Sequence, residues 1–381
     1  MARPTVLVIS TLDTKQEETQ YLVDCLSHHG IEARTVDMSL QSGGRTLDGP
    51  DKLEAMDTAT RTAIDAVSEQ LSSGSVHAVI GLGCGTGGEM ALRVMRALPI
   101  TFPKVLVTTL PFDPRVAAAD SSIVLVPTLA DICGLNPILR EVLENAAALT
   151  AGLCSARSSE MRAIEPSIGI SALGATEGAV NPLISALRER GHESTVFHAN
   201  GYGGAAFARF CEQGAFHTII DLTPHELTRI HIAGAHVVMP DRFTMGAHLP
   251  RIILPGALNF IGLGEKSTLP QTYTQRPHYS HSGFFTHAKV TEDEMRLVAG
   301  ALAENMNTLS GPTTLIVPLG GFSHRDCPGG EIEDRALREV FLEHVSERLD
   351  NTIGVKVVDA HIASSDVTST ILETLDALQN N

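Results

Sequence analysis

Tryptophan is absent from the sequence, and aromatic residues together make up only 4% of its 381 positions. Positive charge is also scarce, because 28 lysines and arginines are outnumbered by 44 aspartates and glutamates, which gives a formal net charge of −16. Such a surface repels the phosphate backbone of a nucleic acid, and no run of basic residues offsets the repulsion. The composition therefore argues against nucleic acid as a partner.

Long apolar runs and paired cysteines are missing as well. No segment reaches the roughly 18 apolar residues that a membrane span needs, and the N-terminus enters a short apolar strand without the features of a signal peptide. The six cysteines are scattered and form no CxxC pair, which argues against a disulfide framework and a zinc knuckle. We expect a globular, cytoplasmic protein with reduced thiols and no membrane partner.

The sequence does contain a regular series of short apolar runs, each of which ends in a loop rich in Gly, Thr or Asp. Runs that are apolar throughout are typical of strands covered on both faces, and therefore of parallel sheets. Helical patterns alternate with them, which predicts a doubly wound α/β fold. The runs occupy residues 5–10, 33–38, 77–83, 104–109, 122–127, 167–174, 194–199, 217–223, 251–257, 313–321 and 354–360.

An internal repeat relates the two halves of the chain. Residues 7–38, which begin within the first apolar run, align without gaps on residues 168–199. Ser10 then matches Ser171, and Gly30 matches Gly191, each 161 positions later in the chain. A repeat of this length indicates that the two halves share one architecture.

Length and repeat together predict the domain organisation. A chain of 381 residues is too long for one ordinary core. We predict an α/β protein of two Rossmann-like, doubly wound parallel-sheet domains, residues 1–160 and 161–381, related by the repeat. The polar stretch 155–166, which ends on a proline, is the expected junction.

Ligands of open parallel sheets bind beyond the C-terminal ends of the strands, so the loops there are the candidate site. After the first strand, Thr11, Asp13, Thr14 and Lys15 open a helix whose first turn attracts anions. Hydroxyl groups and Lys15 suit phosphate oxygens, whereas Asp13 suits Mg²⁺ or a ribose hydroxyl. Helix capping by Asp13 or Thr14 is the alternative interpretation.

A second candidate loop, residues 81–88, has five glycines in eight positions. Glycine permits a positive φ and a close approach of the backbone, which predicts an anion-binding nest rather than a turn needed only for packing. The loop is neither GxGxxG nor a Walker motif, which disfavours ordinary NAD or P-loop chemistry. The predicted nucleotide-binding residues of the first half are Thr11, Asp13, Thr14, Lys15, Gly83, Gly85, Thr86, Gly87, Gly88, Thr108 and Thr109.

The second half supplies polar loops that suit chemistry on a small molecule. The histidines there match no HExxH or similar ligand spacing, so we predict no metal site, and without a GxSxG motif a serine hydrolase is disfavoured. The predicted catalytic residues are His198, Asp221, Arg242, His281, Ser323 and His324. The predicted substrate-binding residues are Asn200, Gly201, Gly203, Gly204, Thr223, Gly256, Gly320 and Gly321.

At these loops the chain resembles the ATP-binding domain family of the tomato mosaic virus resistance protein, which includes many bacterial proteins. The resemblance implies two Rossmann-like domains, ATP with Mg²⁺ in the N-terminal domain, and a homodimer or larger homo-oligomer. It also implies a TIM-barrel partner similar to phosphoenolpyruvate hydrolases. The motifs that carry it are LDTKQEE (12–18), VIGLGCGTGG (79–88), MRALPITFPKVLVTT (95–109), DICGLN (131–136), LENAA (143–147), VFHANGYGG (196–204), DLTPHEL (221–227), PDRF (240–243), PGALNF (255–260) and PLGGFS (318–323).

Three functions compete on this evidence. The first is an ATP- or nucleotide-binding enzyme that acts on a phosphorylated or carboxylated metabolite where the two halves face each other. The second is a non-catalytic nucleotide-sensing module that binds a protein partner. The third, a sugar-nucleotide enzyme of double-Rossmann type, rests on fold analogy alone. The many titratable groups of the second half favour the enzyme.

Overall fold

The computed structural model describes residues 3–41, 47–156, 165–239 and 241–379. The chain divides into two compact units, Met1–Ala163 and Ile164–Asn381, and each is described by itself. The predicted boundary after residue 160 falls within 157–164, outside the described residues.

The N-terminal unit is a five-stranded parallel sheet with the strand order β2-β1-β3-β4-β5. This is the order of flavodoxin-like doubly wound folds. Its strands are β1 (Thr5–Ser10), β2 (Glu32–Asp37), β3 (Val76–Gly83), β4 (Lys104–Thr108) and β5 (Ile123–Pro127). Its helices are α1 (Leu12–His28), α2 (Gly49–Ser72), α3 (Gly85–Ala97), α4 (Pro114–Ala117) and α5 (Pro137–Ala156).

Helices cover both faces of this sheet. Alternate residues of each strand point to opposite sides, and both sets are apolar and pack against helices. Leu7 and Ile9 of β1 pack with side chains of α2 and α3. Val6 and Val8 of the same strand pack with side chains of α1 and α5. The predicted doubly wound arrangement is therefore confirmed.

The C-terminal unit has a six-stranded parallel sheet with the order β14-β13-β9-β8-β6-β7, and a three-stranded antiparallel sheet with the order β10-β12-β11. The antiparallel sheet is not predicted from the sequence. The strands are β6 (Ser167–Ala172), β7 (Ser194–His198), β8 (Phe216–Asp221), β9 (Arg251–Ile253), β10 (Phe260–Leu263), β11 (His278–Ser280), β12 (Thr286–Lys289), β13 (Thr313–Pro318) and β14 (Gly354–Val358). The helices are α6 (Glu177–Glu189), α7 (Gly203–Glu212), α8 (Glu226–His231), α9 (Gln271–Thr274), α10 (Glu292–Asn307), α11 (Arg335–Ser346) and α12 (Ser365–Gln379).

The repeat is visible in the topology, because β7-β6-β8-β9-β13 has the same order as β2-β1-β3-β4-β5. Gly30 and Gly191 follow α1 and α6 with φ of 76° and 82°, as the alignment predicts. The ungapped alignment is nevertheless wrong by one residue in the first strand. Thr5 pairs with Val76 and Ser167 pairs with Phe216, and each strand shifts register at its next residue.

Thr5 therefore corresponds to Ser167, 162 positions later, and Ser10 corresponds to Ala172 rather than to Ser171. The N-terminal unit has one extra residue between this strand and Gly30. Lys15 lies in that interval and departs from helical dihedral angles, with φ −129° and ψ 28°.

Two further pairs of residues occupy equivalent places in the units. Lys104 begins β4 and Arg251 begins β9, and both are 1% exposed. Each donates hydrogen bonds to two backbone carbonyls of the segment that precedes its strand. Leu110 and Ala257 follow these strands and have left-handed φ values of 52° and 59°. The backbone is thus strained at the same place, after the fourth strand of the repeat, in both units. Strained backbone of this kind often occurs near functional sites.

Candidate functional site

Each parallel sheet has a topological switch point, where successive connections leave in opposite directions. The switch point lies between β1 and β3 in the N-terminal unit and between β6 and β8 in the C-terminal unit. Ligands of such sheets bind in the crevice at this place. In the N-terminal unit most of the predicted site residues follow β1 or β3, whereas in the C-terminal unit only Asp221 and Thr223 lie at the end of β8 or just after it.

The N-terminus of α1 is occupied by the protein itself. The N–H of Leu12 donates to Oδ1 of Asp37 over 3.1 Å. The N–H of Asp13 donates to Oγ of Ser39 over 2.9 Å, and the next two N–H groups donate to the carbonyl of Thr11. The first turn of α1 therefore offers no unpaired N–H group to a phosphate, although it follows β1.

Lys15 and Cys84 contact the segment that follows β5. The ammonium group of Lys15 donates to the carbonyl of Ile132, a fully buried residue. The thiol of Cys84 lies 3.1 Å from Oδ1 of Asp131. Burial and the hydrogen bond to this carboxylate raise the pKa of Cys84, which makes it a poor nucleophile.

The N-terminus of α3 is different, because no side chain among the described residues caps it. It opens on a cavity of about 640 Å³. Gly85 is exposed, and a Cβ atom added to it would meet no other atom within 4 Å. The cavity is lined by Gly49, Lys52, Leu53, Met56, Gly85, Thr86, Glu89, Pro111 and Phe112. Of the predicted nucleotide-binding residues, Gly85 and Thr86 line this cavity.

Gly83 and Gly88 of the loop serve packing. A Cβ atom on Gly83 would lie 2.4 Å from backbone atoms of Gly87 and Gly88. One on Gly88 would lie 2.9 Å from Oγ1 of Thr108, a buried residue whose neighbour Thr109 is half-buried. No glycine between residues 81 and 88, all of them described, has a positive φ. The expectation of a positive φ in this loop is therefore wrong, and it is close packing of the helix on the strand that requires glycine at positions 83 and 88.

Asp221 and Arg242 form a buried ion pair in the C-terminal unit. The guanidinium donates to both carboxylate oxygens, over 2.7 and 3.0 Å, and Ser171 donates to the same carboxylate over 2.6 Å. Burial alone raises the pKa of Asp221, but Arg242 lowers it below its ordinary value. Because Asp221 is 2% exposed and Arg242 is 0% exposed, we assign the pair to fixing the exit of β8.

Most of the predicted substrate-binding glycines lie where the backbone leaves no room for a side chain. An added Cβ atom would lie 2.2 Å from the His198 carbonyl oxygen at Gly203, 2.6 Å from Oε1 of Glu226 at Gly204, and 2.2 Å from the Leu222 carbonyl oxygen at Gly256. The same holds at Gly201, Gly320 and Gly321, where backbone atoms lie within 2.3 Å of the added atom.

The two polar residues of that prediction also have partners in the protein. Oδ1 of Asn200 accepts from the N–H groups of Tyr202 and Gly203, over 3.1 and 3.2 Å. The hydroxyl of Thr223 lies 2.8 Å from that of Thr176, and both residues are buried. These contacts organise the loops after β7 and β8.

A ladder of rings stands at the switch point of the C-terminal unit. The ring of His225 is 4.7 Å from that of Phe260, which stacks on His287 at 4.2 Å, and His287 stacks on His281 at 5.0 Å. Nδ1 of His287 is 2.7 Å from the hydroxyl of Tyr279. The ladder thus runs from a fully buried imidazole at His225 to an exposed one at His281.

Burial sets the protonation of this cluster. It lowers the pKa of His287 to about 3, with further contributions from His281 and His324. Burial and the charge of Arg325 also lower the pKa of His324, whose ring stands 5.6 Å from that of Tyr279. The cluster is therefore neutral at its buried end and open at His281 and His324. Among the described residues no group of three or more His, Cys, Asp or Glu side chains is arranged to hold a metal ion.

Ser323 and His198 complete the predicted catalytic set. Ser323 is 0% exposed, and its hydroxyl has no hydrogen-bond partner in the described part of the chain. His198 ends β7, where burial and the charge of Arg229 lower its pKa. Neither Arg229 nor His225 was among the predicted site residues, although the DLTPHEL motif contains His225. No helix in the described ranges is both long and apolar enough to cross a membrane.

Comparisons with known proteins cover both units. The N-terminal domain model of the Uncharacterised protein family (UPF0261) matches residues 4–48 and 42–159, and its C-terminal domain model matches residues 165–379. A UPF0261 protein of Clostridium tetani is 27% identical over 369 residues, which are 90% of this chain and 91% of that protein. One of Mesorhizobium japonicum is 30% identical over 366 residues, with the same two shares.

The match to a tomato relative extends over a smaller share of both proteins. The ToMV resistance protein Tm-1 of Solanum lycopersicum is 29% identical over 305 residues, which are 77% of this chain and 40% of that protein. The resemblance seen in the motifs is therefore confirmed. The chain belongs to the UPF0261 family and contains both its N-terminal and its C-terminal domain.

Proposed function

We propose that the chain binds ATP on its N-terminal unit and acts as an enzyme of small-molecule metabolism, on a phosphorylated or carboxylated metabolite. The observation that carries the proposal is the uncapped N-terminus of α3, which opens on a cavity of about 640 Å³. The first-turn N–H groups, which have no side-chain cap among the described residues, and the helix dipole attract phosphate there, and Lys52 adds positive charge from α2. The carboxylate of Glu89 lines the same cavity and is suited to Mg²⁺ that accompanies the nucleotide.

Support for an enzyme comes from the ring ladder of the C-terminal unit. His281 and His324 are exposed imidazoles, the commonest general acids and bases near neutral pH. His287 lies beneath them, where its contact with Tyr279 fixes the position of the phenol hydroxyl. A pure sensor needs no such group of titratable rings.

The test places a negative charge where the phosphates are expected. Gly85→Asp adds a carboxylate in open space at the first helical position, where the helix dipole favours it by about 0.3–1 kcal/mol. We expect the variant to unfold at the same or a higher temperature, yet to bind Mg²⁺–ATP at least about tenfold more weakly in isothermal titration calorimetry. Gly85→Ala, which adds no charge, is the matched control and retains the affinity.

Equal ATP affinity of Gly85→Asp and the unmodified chain would remove the basis for a nucleotide at this helix. Tight binding with no ATP consumption and no turnover across a metabolite panel would favour the nucleotide-sensing module instead. Self-association and a partner similar to phosphoenolpyruvate hydrolases stay predictions, which light scattering and co-purification can check.

A further inference from the structure

An apolar wall lines part of the cavity at the N-terminus of α3. It consists of Leu53 and Met56, which lie on α2, and of Pro111 and Phe112, which follow β4. Leu53 is 62% exposed and Pro111 is exposed as well, whereas Met56 belongs to the buried core of the unit. The apolar wall therefore extends from the core of the N-terminal unit to its surface.

The segment that carries Pro111 and Phe112 is held on both sides. Before it, Leu110 has a left-handed φ of 52°, a conformation that costs energy in a residue with a side chain. After it, Asp113 caps α4, because its carboxylate accepts from the N–H of Arg115 over 2.9 Å. Phe112 itself is half-buried and packs against the core of the unit. The phenyl ring is therefore in place at the cavity before a ligand arrives.

Three polar side chains line the same cavity, within the part of the chain that the structure describes. They are those of Lys52, Thr86 and Glu89. These groups and the N-terminus of α3 are suited to the triphosphate and the Mg²⁺ of a nucleotide. Among the described residues that line the cavity, only apolar side chains are then left for the rest of the ligand.

The nucleobase is the part of a nucleotide that fits an apolar wall. Every base has a π-face that stacks on an aromatic ring, and stacking requires no hydrogen bond. The cavity volume of about 640 Å³ lies within the range of about 300–1,000 Å³ that is typical of small-molecule sites. Because Leu53 and Pro111 are exposed, the polar edge of a stacked base can stay in contact with water. The wall then contacts the part that adenine and guanine share.

We propose that Phe112 and Leu53 hold the base of a purine nucleoside triphosphate, and that the cavity does not distinguish adenine from guanine. This inference rests on the proposed function, because the triphosphate is expected at the N-terminus of α3. It extends the ligand from ATP to the purine nucleoside triphosphates as a class. It also makes Phe112 the residue on which the base stacks.

The test measures binding to the full chain by isothermal titration calorimetry, with Mg²⁺ and ATP, GTP or inorganic tripolyphosphate. The dissociation constants of ATP and GTP are expected to agree within about threefold, because stacking is tolerant of the identity of the base. Tripolyphosphate has no base and is expected to bind at least about fivefold more weakly than ATP. These comparisons use the unmodified protein and do not depend on how any variant folds.

Substitutions in the apolar wall locate the base. Phe112→Ala removes the ring and is expected to weaken ATP and GTP equally, at least about fivefold, and to leave tripolyphosphate binding unchanged. If Phe112→Ala fails to fold, Leu53→Ala replaces it, because a side chain that is 62% exposed contributes little to the core. For Leu53→Ala we expect a loss of at least about twofold for both nucleotides. Leu297→Ala, at a position on α10 that is 49% exposed, is the matched control and retains both affinities.

Three results would overturn this inference. They are affinities for ATP and GTP that differ by more than about threefold, tripolyphosphate binding as tightly as ATP, and unchanged nucleotide affinity in the folded wall variant. Weaker nucleotide binding in Phe112→Ala beside unchanged ATP affinity in Gly85→Asp would leave the base on the wall and remove only the phosphate from α3. The opposite pair of results would leave the phosphate site standing without the base site.

Discussion

Removing Arg242 is expected to destabilise the C-terminal unit strongly. The residue is 0% exposed, pairs with both oxygens of Asp221 and lies 3.4 Å from Glu226. Arg242→Gln leaves buried carboxylates without a counter-charge, a change that costs about 3–5 kcal/mol of unfolding free energy. The substitution also removes a cation that lies over the rings of Phe207 and Phe243, at 5.1 and 4.8 Å.

The unfolding free energy lost in Arg242→Gln should be smaller at low pH than at high pH. In the unmodified chain Arg242 holds the pKa of Asp221 below its ordinary value, so this stabilisation is present above about pH 3.9 and is lost only as the pH falls through the lower folded pKa. Without Arg242, burial raises the pKa of Asp221, and the variant regains stability as this carboxylate takes up a proton. The difference between the two proteins should therefore be smaller at pH 5 than at pH 8.

Urea unfolding followed by far-ultraviolet circular dichroism is the suitable assay, because the chain has no tryptophan to report by fluorescence. Arg296→Gln is the matched control. It breaks an ion pair with Glu292 on α10, whose side chains are 38% and 60% exposed, and should cost less than about 1 kcal/mol. A loss below about 1 kcal/mol for Arg242→Gln, or equal losses at pH 5 and pH 8, would refute the reasoning.

Two further predictions concern the strained residue and the ring ladder. Ala257→Val puts a branched side chain at a buried left-handed position and should lower the free energy of unfolding by about 2 kcal/mol or more. Ala257→Gly should change that free energy by less than about 1 kcal/mol. Similar melting temperatures for the two variants would contradict this. The ring signals of His287 should not titrate between pH 5 and pH 8 in NMR spectra, because its pKa is about 3, and a midpoint inside that range would show that the imidazole is not buried as described.

The central parallel strands could be predicted because their sequence carries the signal of burial. Each of the eleven apolar runs contains or overlaps a strand of the two parallel sheets, as for β1 and β13, which are buried at every position. The antiparallel strands β10, β11 and β12 have only four, three and four residues, too few for a period to emerge. An alignment without gaps could not reveal the extra residue near Lys15. One additional residue within α1 changes neither the residue types nor the helical pattern of the sequence enough to be noticed.

The candidate site was harder to predict, because one residue type serves several physical needs. Gly83 is required by backbone contacts and Gly85 by none, yet the two are indistinguishable in the sequence. Asp221 and Arg242 are residue types that often act in catalysis, and only the structure shows that they form a buried ion pair with each other.

Lys104 at the start of β4 and Arg251 at the start of β9 occupy equivalent positions in the two units. Their contacts affect which sequence changes the segments before these strands can tolerate. Lys104 and Arg251 hold carbonyl oxygens of the backbone, at Pro99 and Ile100 in one unit and at Phe243 and Met245 in the other. Every amino acid presents that oxygen, so the held segments can exchange side chains freely without losing their anchor. Each half can therefore carry its own loop chemistry while the same kind of contact holds the loop in place.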